Sequence, residues 1–93
     1  MSTLKNIVTD LAKYSAGYLE GGDKQDRESF IMCYYQLCIC ASENLISTIE
    51  RFLDQQNEEN WGLLFKAMRR ELGYSSEDHL STPKLYVVNP NAK

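Results

Sequence analysis

The stretch that decides the fold is FIMCYYQLCIC, residues 30–40. Read alone, it is rich in residues that favour β-structure and could be a buried strand. The residues on both sides favour a helix. Sorted by sevens, residues 26–56 give two neighbouring apolar rows and one polar row. The apolar rows are Ile31, Cys38, Leu45, Phe52 and Met32, Ile39, Ile46, Leu53, and the polar row is Ser29, Gln36, Glu43, Glu50.

Rows of this spacing identify a helix, because residues seven apart stay nearly in phase only there, drifting by about 20° per heptad. A strand would alternate every second residue. Residues 26–56 also contain no Pro or Gly. We therefore predict one long helix over this range, continuous or kinked once.

The predicted length of this helix has consequences for assembly. At about 1.5 Å per residue, roughly thirty residues make a rod of about 45 Å, whereas a chain of this size has a radius of gyration of about 13 Å. The rod must protrude, kink or pair with another chain. Its two apolar rows lie about 100° apart, so the helix can be contacted on two sides.

Shorter helices are predicted on both sides of the middle one. The first runs from about residue 3 to residue 20, with Ser2 or Thr3 as its cap and Gly21-Gly22 as its stop. Its apolar stripe is Leu4, Ile7, Val8, Leu11, Tyr14 and Tyr18.

The third predicted helix begins near Asn57, which can cap it, and stops at Gly73. Its apolar stripe is Trp61, Leu64, Phe65, Met68 and Leu72. Residues 75–80 fit a short helical turn, and residues 85–88 are a brief β-like run.

These elements predict an all-α fold, a small bundle of three main helices with a long central helix and a short extended C-terminal segment. Ninety-three residues, 43% of them hydrophobic, suit a single core. We assign residues 1–88 to one helical domain and 89–93 to a polar tail.

Cysteine usage and the N-terminus both point to the cytoplasm. Cys33, Cys38 and Cys40 are an odd, clustered set that cannot form a distributed disulfide framework. The N-terminus lacks a charged region followed by an apolar one, and no apolar run approaches the roughly 20 residues that span a bilayer. We expect a cytoplasmic, unanchored protein.

The same cysteines are poor metal ligands, because their spacings of five and two on one helix do not match paired structural zinc ligands. We predict buried, inert thiols. His79, the single histidine, follows two acids in a polar stretch and is predicted to be solvated. No metal and no cofactor are expected.

Paired carboxylates do not make a catalytic site here. They occur at probable helix starts, where acids interact favourably with the helix dipole. The pairs are Asp23/Asp26, Glu58/Glu59 and Glu77/Asp78. Gly21-Gly22 lacks the context of a phosphate-binding loop. We therefore predict that the protein is not an enzyme.

The distribution of charge supports a binding role. Residues 23–56 carry six acids and three bases, which accounts for the whole net charge of −3. An acidic face can steer a basic target and raise its association rate. We predict a protein-binding module, such as an inhibitor, immunity-type protein or adaptor, acting through an acidic and apolar helical surface. A basic nucleic-acid-handling protein is the expected partner, and a small antagonist encoded by a mobile element fits this pattern.

The candidate partner-binding residues combine aromatic side chains, which are enriched at binding hot spots, with acids of the middle helix. They are Tyr34, Tyr35, Glu43, Glu50, Trp61 and Tyr86. For any one of these aromatic residues, packing in the core is the favoured assignment. If rows such as Met32, Tyr35 and Ile39 lie exposed, they would pair with a second copy in a homodimer or remain for a foreign partner.

The alternative function is a small nucleic-acid-binding regulator that uses the basic face of the third helix. Lys66, Arg69 and Arg70 would supply that face. The acids Glu58, Glu59 and Glu71 on the same helix cancel their charge. Direct binding to nucleic acid is therefore the less favoured interpretation.

Overall fold

The computed structural model describes residues 3–74 and 81–87 of the chain. Its elements are α1 (Leu4–Tyr14), a 3₁₀ turn (Ser15–Tyr18), α2 (Lys24–Cys40), α3 (Glu43–Asp54) and α4 (Glu58–Glu71). The described residues contain no strand, which confirms the all-α class. They form four α-helices where three were predicted. α1 packs against α2, and α3 packs against α4, so the molecule consists of two helical hairpins.

The first hairpin begins at Thr3, whose hydroxyl accepts a hydrogen bond from the Asn6 amide at 3.2 Å. α1 changes to the 3₁₀ turn at Ser15, earlier than the predicted end at residue 20. This turn packs closely on α2, because a Cβ at Gly17 would lie 2.8 Å from the Arg27 backbone nitrogen. The Arg27 guanidinium in turn donates to the Gly17 carbonyl at 3.0 Å. The turn is thus fixed against the start of α2.

The predicted single middle helix is two helices, divided at Ala41–Ser42. Both residues have extended ψ angles, 168° and 156°. The carboxylate of Glu71 accepts from the Ser42 amide at 3.1 Å and from its hydroxyl at 2.6 Å. In a continuous helix that amide would donate to the carbonyl of Cys38. The Ser42 hydroxyl also accepts from the Leu45 amide at 3.4 Å and caps α3.

This break changes which side chains are buried. The core residues of α2 are Phe30, Cys33 and Leu37, and those of α3 are Leu45, Ile49 and Phe52. Steps of seven from the buried positions 30 and 37 would lead to 44 and 51, but α3 buries positions 45 and 52. The core row therefore shifts by one position at the break. In the predicted apolar row Ile31, Cys38, Leu45 and Phe52, the two α3 residues are buried, whereas Cys38 of α2 is exposed. The longest dimension of the molecule, 39 Å, is shorter than the predicted rod.

The second hairpin follows the predicted signals. The Asn57 side chain caps α4 by accepting from the Asn60 amide at 2.7 Å. The Asn60 side chain ties the α3–α4 connection by donating to the Gln55 carbonyl at 2.8 Å. α4 ends before Gly73, whose φ of 97° is easily adopted only by glycine.

Aromatic side chains join the two hairpins. Phe30 of α2 and Phe52 of α3 have ring centroids 5.8 Å apart, and Tyr18 meets both rings edge-on, at 5.2 and 6.0 Å. Trp61 of α4 extends the cluster, 6.1 Å from Phe52 and 5.9 Å from Phe65. Such pairs add to the free energy gained from burial alone. These rings therefore join the inner sides of α2 and α3 within a core to which all four helices contribute.

Residues 81–87 form neither helix nor strand and lie against α4. The Trp61 indole nitrogen donates to the Pro83 carbonyl at 2.8 Å, and Leu85 packs against the core. The predicted turn at 75–80, which includes His79, lies outside the described residues, as do Val88 and the tail 89–93.

Candidate functional site

The outward side of α2 is unusually apolar. Met32, Tyr35 and Ile39 are 60%, 58% and 89% exposed. We call these three residues the outer face of α2. The inner side of the same helix already contributes Phe30, Cys33 and Leu37 to the core. A helix that is apolar on both sides is typical of a buried one, yet in this chain one side is open to solvent.

The three side chains lie on one stripe of the helix. Their spacing of three and four residues is the pattern with which two helices interlock. Residues 29–42 include no charged residue, although a quarter of the whole chain is charged. Glu28 and Glu43, both exposed, stand immediately before and after this run. The outer face is therefore a neutral, apolar strip with an acid beyond each end.

Tyr34 and Glu50 link α2 to α3 beside this strip. The Tyr34 hydroxyl donates to Glu50 Oε2 at 2.7 Å, and its ring lies 5.7 Å from that of Tyr35. The hydrogen bond to Glu50 raises the pKa of Tyr34 above its ordinary value, because it favours the neutral phenol. The contact with Tyr34 also helps to position the Tyr35 ring.

The other predicted residues lie elsewhere. Trp61 is 7% exposed and belongs to the aromatic core, so little of its indole is available to a partner. Tyr86 is exposed in the segment 81–87, with the Lys84 ammonium 5.8 Å from its ring centre. Glu43 is exposed in the first turn of α3. The structure thus brings Tyr34, Tyr35 and Glu50 together and leaves Trp61 and Tyr86 off α2.

Met32 and Ile39 were not among the six candidate partner-binding residues, although they were named with Tyr35 as a row that would pair if it were exposed. The signal for them was present in the sequence, because the apolar arc of the middle helix is wider than one neighbour can cover. What the sequence alone did not reveal was which part of that arc faces the core, since that depends on the break at Ser42.

The cysteines differ in burial. Cys33 is buried, and burial raises the pKa of its thiol, with a smaller contribution from Asp10. Cys38 and Cys40 are exposed, so the prediction of three buried thiols is wrong for these two. For Cys38 the physical reason is the shifted core row of α2; Cys40, seven residues after the buried Cys33, is the last residue of the helix. Within residues 3–74 and 81–87, no three potential ligands lie close enough together to hold a metal ion.

The basic residues of α4 are partly engaged with neighbours. Arg69 stacks over the Tyr74 ring, 4.4 Å from its centre. Lys66 and Arg70 are exposed. Glu71, which the sequence placed among the acids that cancel their charge, is bonded to Ser42. No feature of this helix singles it out as a surface for nucleic acid.

A cleft of about 450 Å³ lies where the segment 81–87 meets the second hairpin. Its described lining combines apolar side chains with a few polar ones and includes neither histidine nor cysteine. The lining residues are Leu19, Phe52, Gln56, Asn57, Glu58, Trp61, Thr82, Pro83, Lys84 and Leu85. Among these described lining residues Glu58 and Lys84 are the charged ones, and no nucleophile is paired with a base.

Comparisons with protein-family models, with curated proteins and with solved structures gave no significant match. In the part of the chain that the structure describes, no helix is long and apolar enough to cross a membrane. The outer face of α2 is therefore interpreted from its own geometry.

Proposed function

We propose that the protein is a non-enzymatic protein-binding module whose docking surface is the outer face of α2. One observation carries the proposal: Met32, Tyr35 and Ile39 lie exposed on one stripe within a run of fourteen residues, 29–42, that has no charge. The fold does not require these side chains, because the opposite side of α2 supplies its core residues.

The size of the exposed strip fits this role. With roughly 200 Å² for a fully exposed large side chain, the three residues present about 400 Å² of mostly apolar surface. Contiguous patches of that size on small proteins often mark interaction sites. The other exposed large apolar residues of the described chain are separated from α2 in sequence. They are Leu63, Tyr74, Tyr86 and Val87.

The acids around the strip favour a partner with basic groups at its rim. Glu28 and Glu43 bound the uncharged run, and interfaces commonly combine an apolar centre with a polar rim. Complementary charge at the rim raises the association rate more than the affinity. An inhibitor, immunity-type protein or adaptor that binds a basic nucleic-acid-handling protein is the class we propose. An antagonist encoded by a mobile element belongs to this class.

A site-specific cross-linking experiment tests the proposal. Photoreactive benzoylphenylalanine replaces Tyr35 in one variant and Thr9, an exposed residue of α1, in a matched control. We expect irradiation in the native host to give protein adducts from position 35 and not from position 9. Equal labelling from both positions, or none from position 35, would contradict the proposal. So would a salt-sensitive complex with nucleic acid that is lost in a Lys66→Ala, Arg70→Ala variant.

A further inference from the structure

We infer that the outer face of α2 binds the same face of a second copy of this chain, in a two-fold, antiparallel and crossed arrangement. This inference rests on the proposed function, because it concerns the same docking surface; a second copy and a basic partner would compete for that surface. Three properties of the outer face lead to it: its lack of charge, the spacing of its side chains and its area.

Charge makes the outer face self-compatible. The chain has a net charge of −3, so most pairings of two copies would bring like charges together. Residues 29–42 are an exception, since they contain no charge that pairing would bury or repel. The centre of the outer face also offers a basic partner no acid to pair with. A second neutral, apolar strip is its best complement.

The spacing defines the arrangement. A two-fold axis that crosses α2 near residues 35–36 places Met32 of one copy against Ile39 of the other, twice, with the Tyr35 rings between. In the antiparallel pair Glu28 approaches Glu43 of the second copy, and a crossing angle of about 50° separates them. The acids therefore favour a crossed pair over a long coiled coil.

The available area fits a reversible dimer. Stable interfaces take roughly 600–1,000 Å² from each partner. The outer face supplies about 400 Å² of this on each copy, and its neighbours Ile31, Gln36 and Cys38 add to it. The total lies near the lower limit, so monomer and dimer should interconvert at micromolar concentrations.

Sedimentation equilibrium over a concentration series tests the inference. We expect the mass to rise from 10.7 kDa towards twice that value at high micromolar concentration. Ile39→Lys should remain at the mass of one chain. Leu63→Lys is the matched control, because it places the same charge on an exposed apolar residue of α4, and it should associate like the unmodified protein. Circular dichroism of each variant checks that it is folded.

Charge complementation identifies the arrangement. Met32→Glu and Ile39→Lys should each be monomeric alone and form a mixed dimer together, because the two new charges meet across the antiparallel pair. Added salt should leave the unmodified dimer equally stable or strengthen it, since salt screens Glu28 from Glu43. Mixed variants that stay monomeric, or a dimer weakened by salt, would overturn the arrangement.

The outcomes separate this inference from the proposed function. An unmodified protein that stays at 10.7 kDa overturns the inference. If benzoylphenylalanine at position 35 still forms adducts with a different protein, the proposed function stands without it. If position 35 forms no adducts and the mass stays at one chain, both fail. The inference would also be overturned if Leu63→Lys abolished dimerisation and Ile39→Lys did not. The contact would then lie on α4.

Discussion

α2 and α3 share one apolar repeat in the sequence, but in the structure the exposed side of α3 is polar and that of α2 is apolar. α3 buries Leu45, Ile49 and Phe52, and its outward side chains are polar, among them Asn44, Ser47, Glu50, Arg51 and Asp54. α2 is apolar both inside and outside. The difference shows that the fold needs only the inner apolar side of α2. Substitutions on α3 should therefore change stability, and those on the outer face of α2 should change association.

The largest expected effect is in the core of α3. Phe52→Ala should lower the free energy of unfolding by about 3–5 kcal/mol, because it leaves a cavity where Tyr18, Phe30 and Trp61 meet. Urea unfolding followed by circular dichroism measures the change. A loss below about 1 kcal/mol would mean that the two hairpins do not depend on this aromatic cluster.

The junction of α2 and α3 should show a smaller effect. Ser42→Ala removes the cap of α3 and the hydroxyl bond to Glu71, and we expect a loss of about 1–2 kcal/mol. Glu71→Ala should be similar, and the double variant should lose less than the sum, because the two residues share hydrogen bonds. Glu59→Ala, an exposed acid of α4, is the control. Fully additive losses would refute the proposed tie between α4 and the junction.

Thiol reactivity compares the two sides of α2 without any substitution. At neutral pH, Cys33 should be alkylated about 10-fold more slowly than Cys38 and Cys40, because it is buried and its pKa is raised. A raised pKa means that the Cys33 thiolate appears only at higher pH, so the rate at Cys33 should rise as the pH is raised. Mass spectrometry of a timed alkylation series measures all three rates. Equal rates would contradict the core row assigned to α2.

The smallest expected effect on stability is on the outer face of α2. Met32→Ser and Ile39→Ser, measured at low concentration where the chain is monomeric, should change the free energy of unfolding by less than about 0.5 kcal/mol. Both side chains are largely exposed in one copy. A loss comparable to that of Phe52→Ala would make these residues part of the core and remove the contrast between α2 and α3.

The parts of the fold that local chemistry determines could be predicted from the sequence. Thr3, Asn57 and Gly73 marked helix ends correctly, because a cap acts on the residues next to it. The break at Ser42 could not be predicted in this way. Its stabilising acceptor, Glu71, is 29 residues away in the chain, and residues 26–56 contain no Pro or Gly to mark the break.

This missed break limited the prediction of the candidate site. A shift of one position in the core row moved Cys38 from the predicted core to the surface. Tyr35 and Trp61 were both named as candidate binding residues, with core packing favoured for each; Tyr35 is exposed, whereas Trp61 is packed in the core. Hot-spot residue types pointed equally to both aromatic residues, because composition does not distinguish an interface from a core.

The central claim is that the outer face of α2 is a docking surface occupied by a second copy, and a dilution series of two-dimensional amide NMR spectra tests it most directly. We predict that dilution from high to low micromolar concentration shifts the amide signals of residues 28–40, most strongly near Met32, Tyr35 and Ile39, and leaves those of α4 unchanged. Spectra that do not change with concentration, or shifts centred on α4 or on residues 81–87, would contradict the claim.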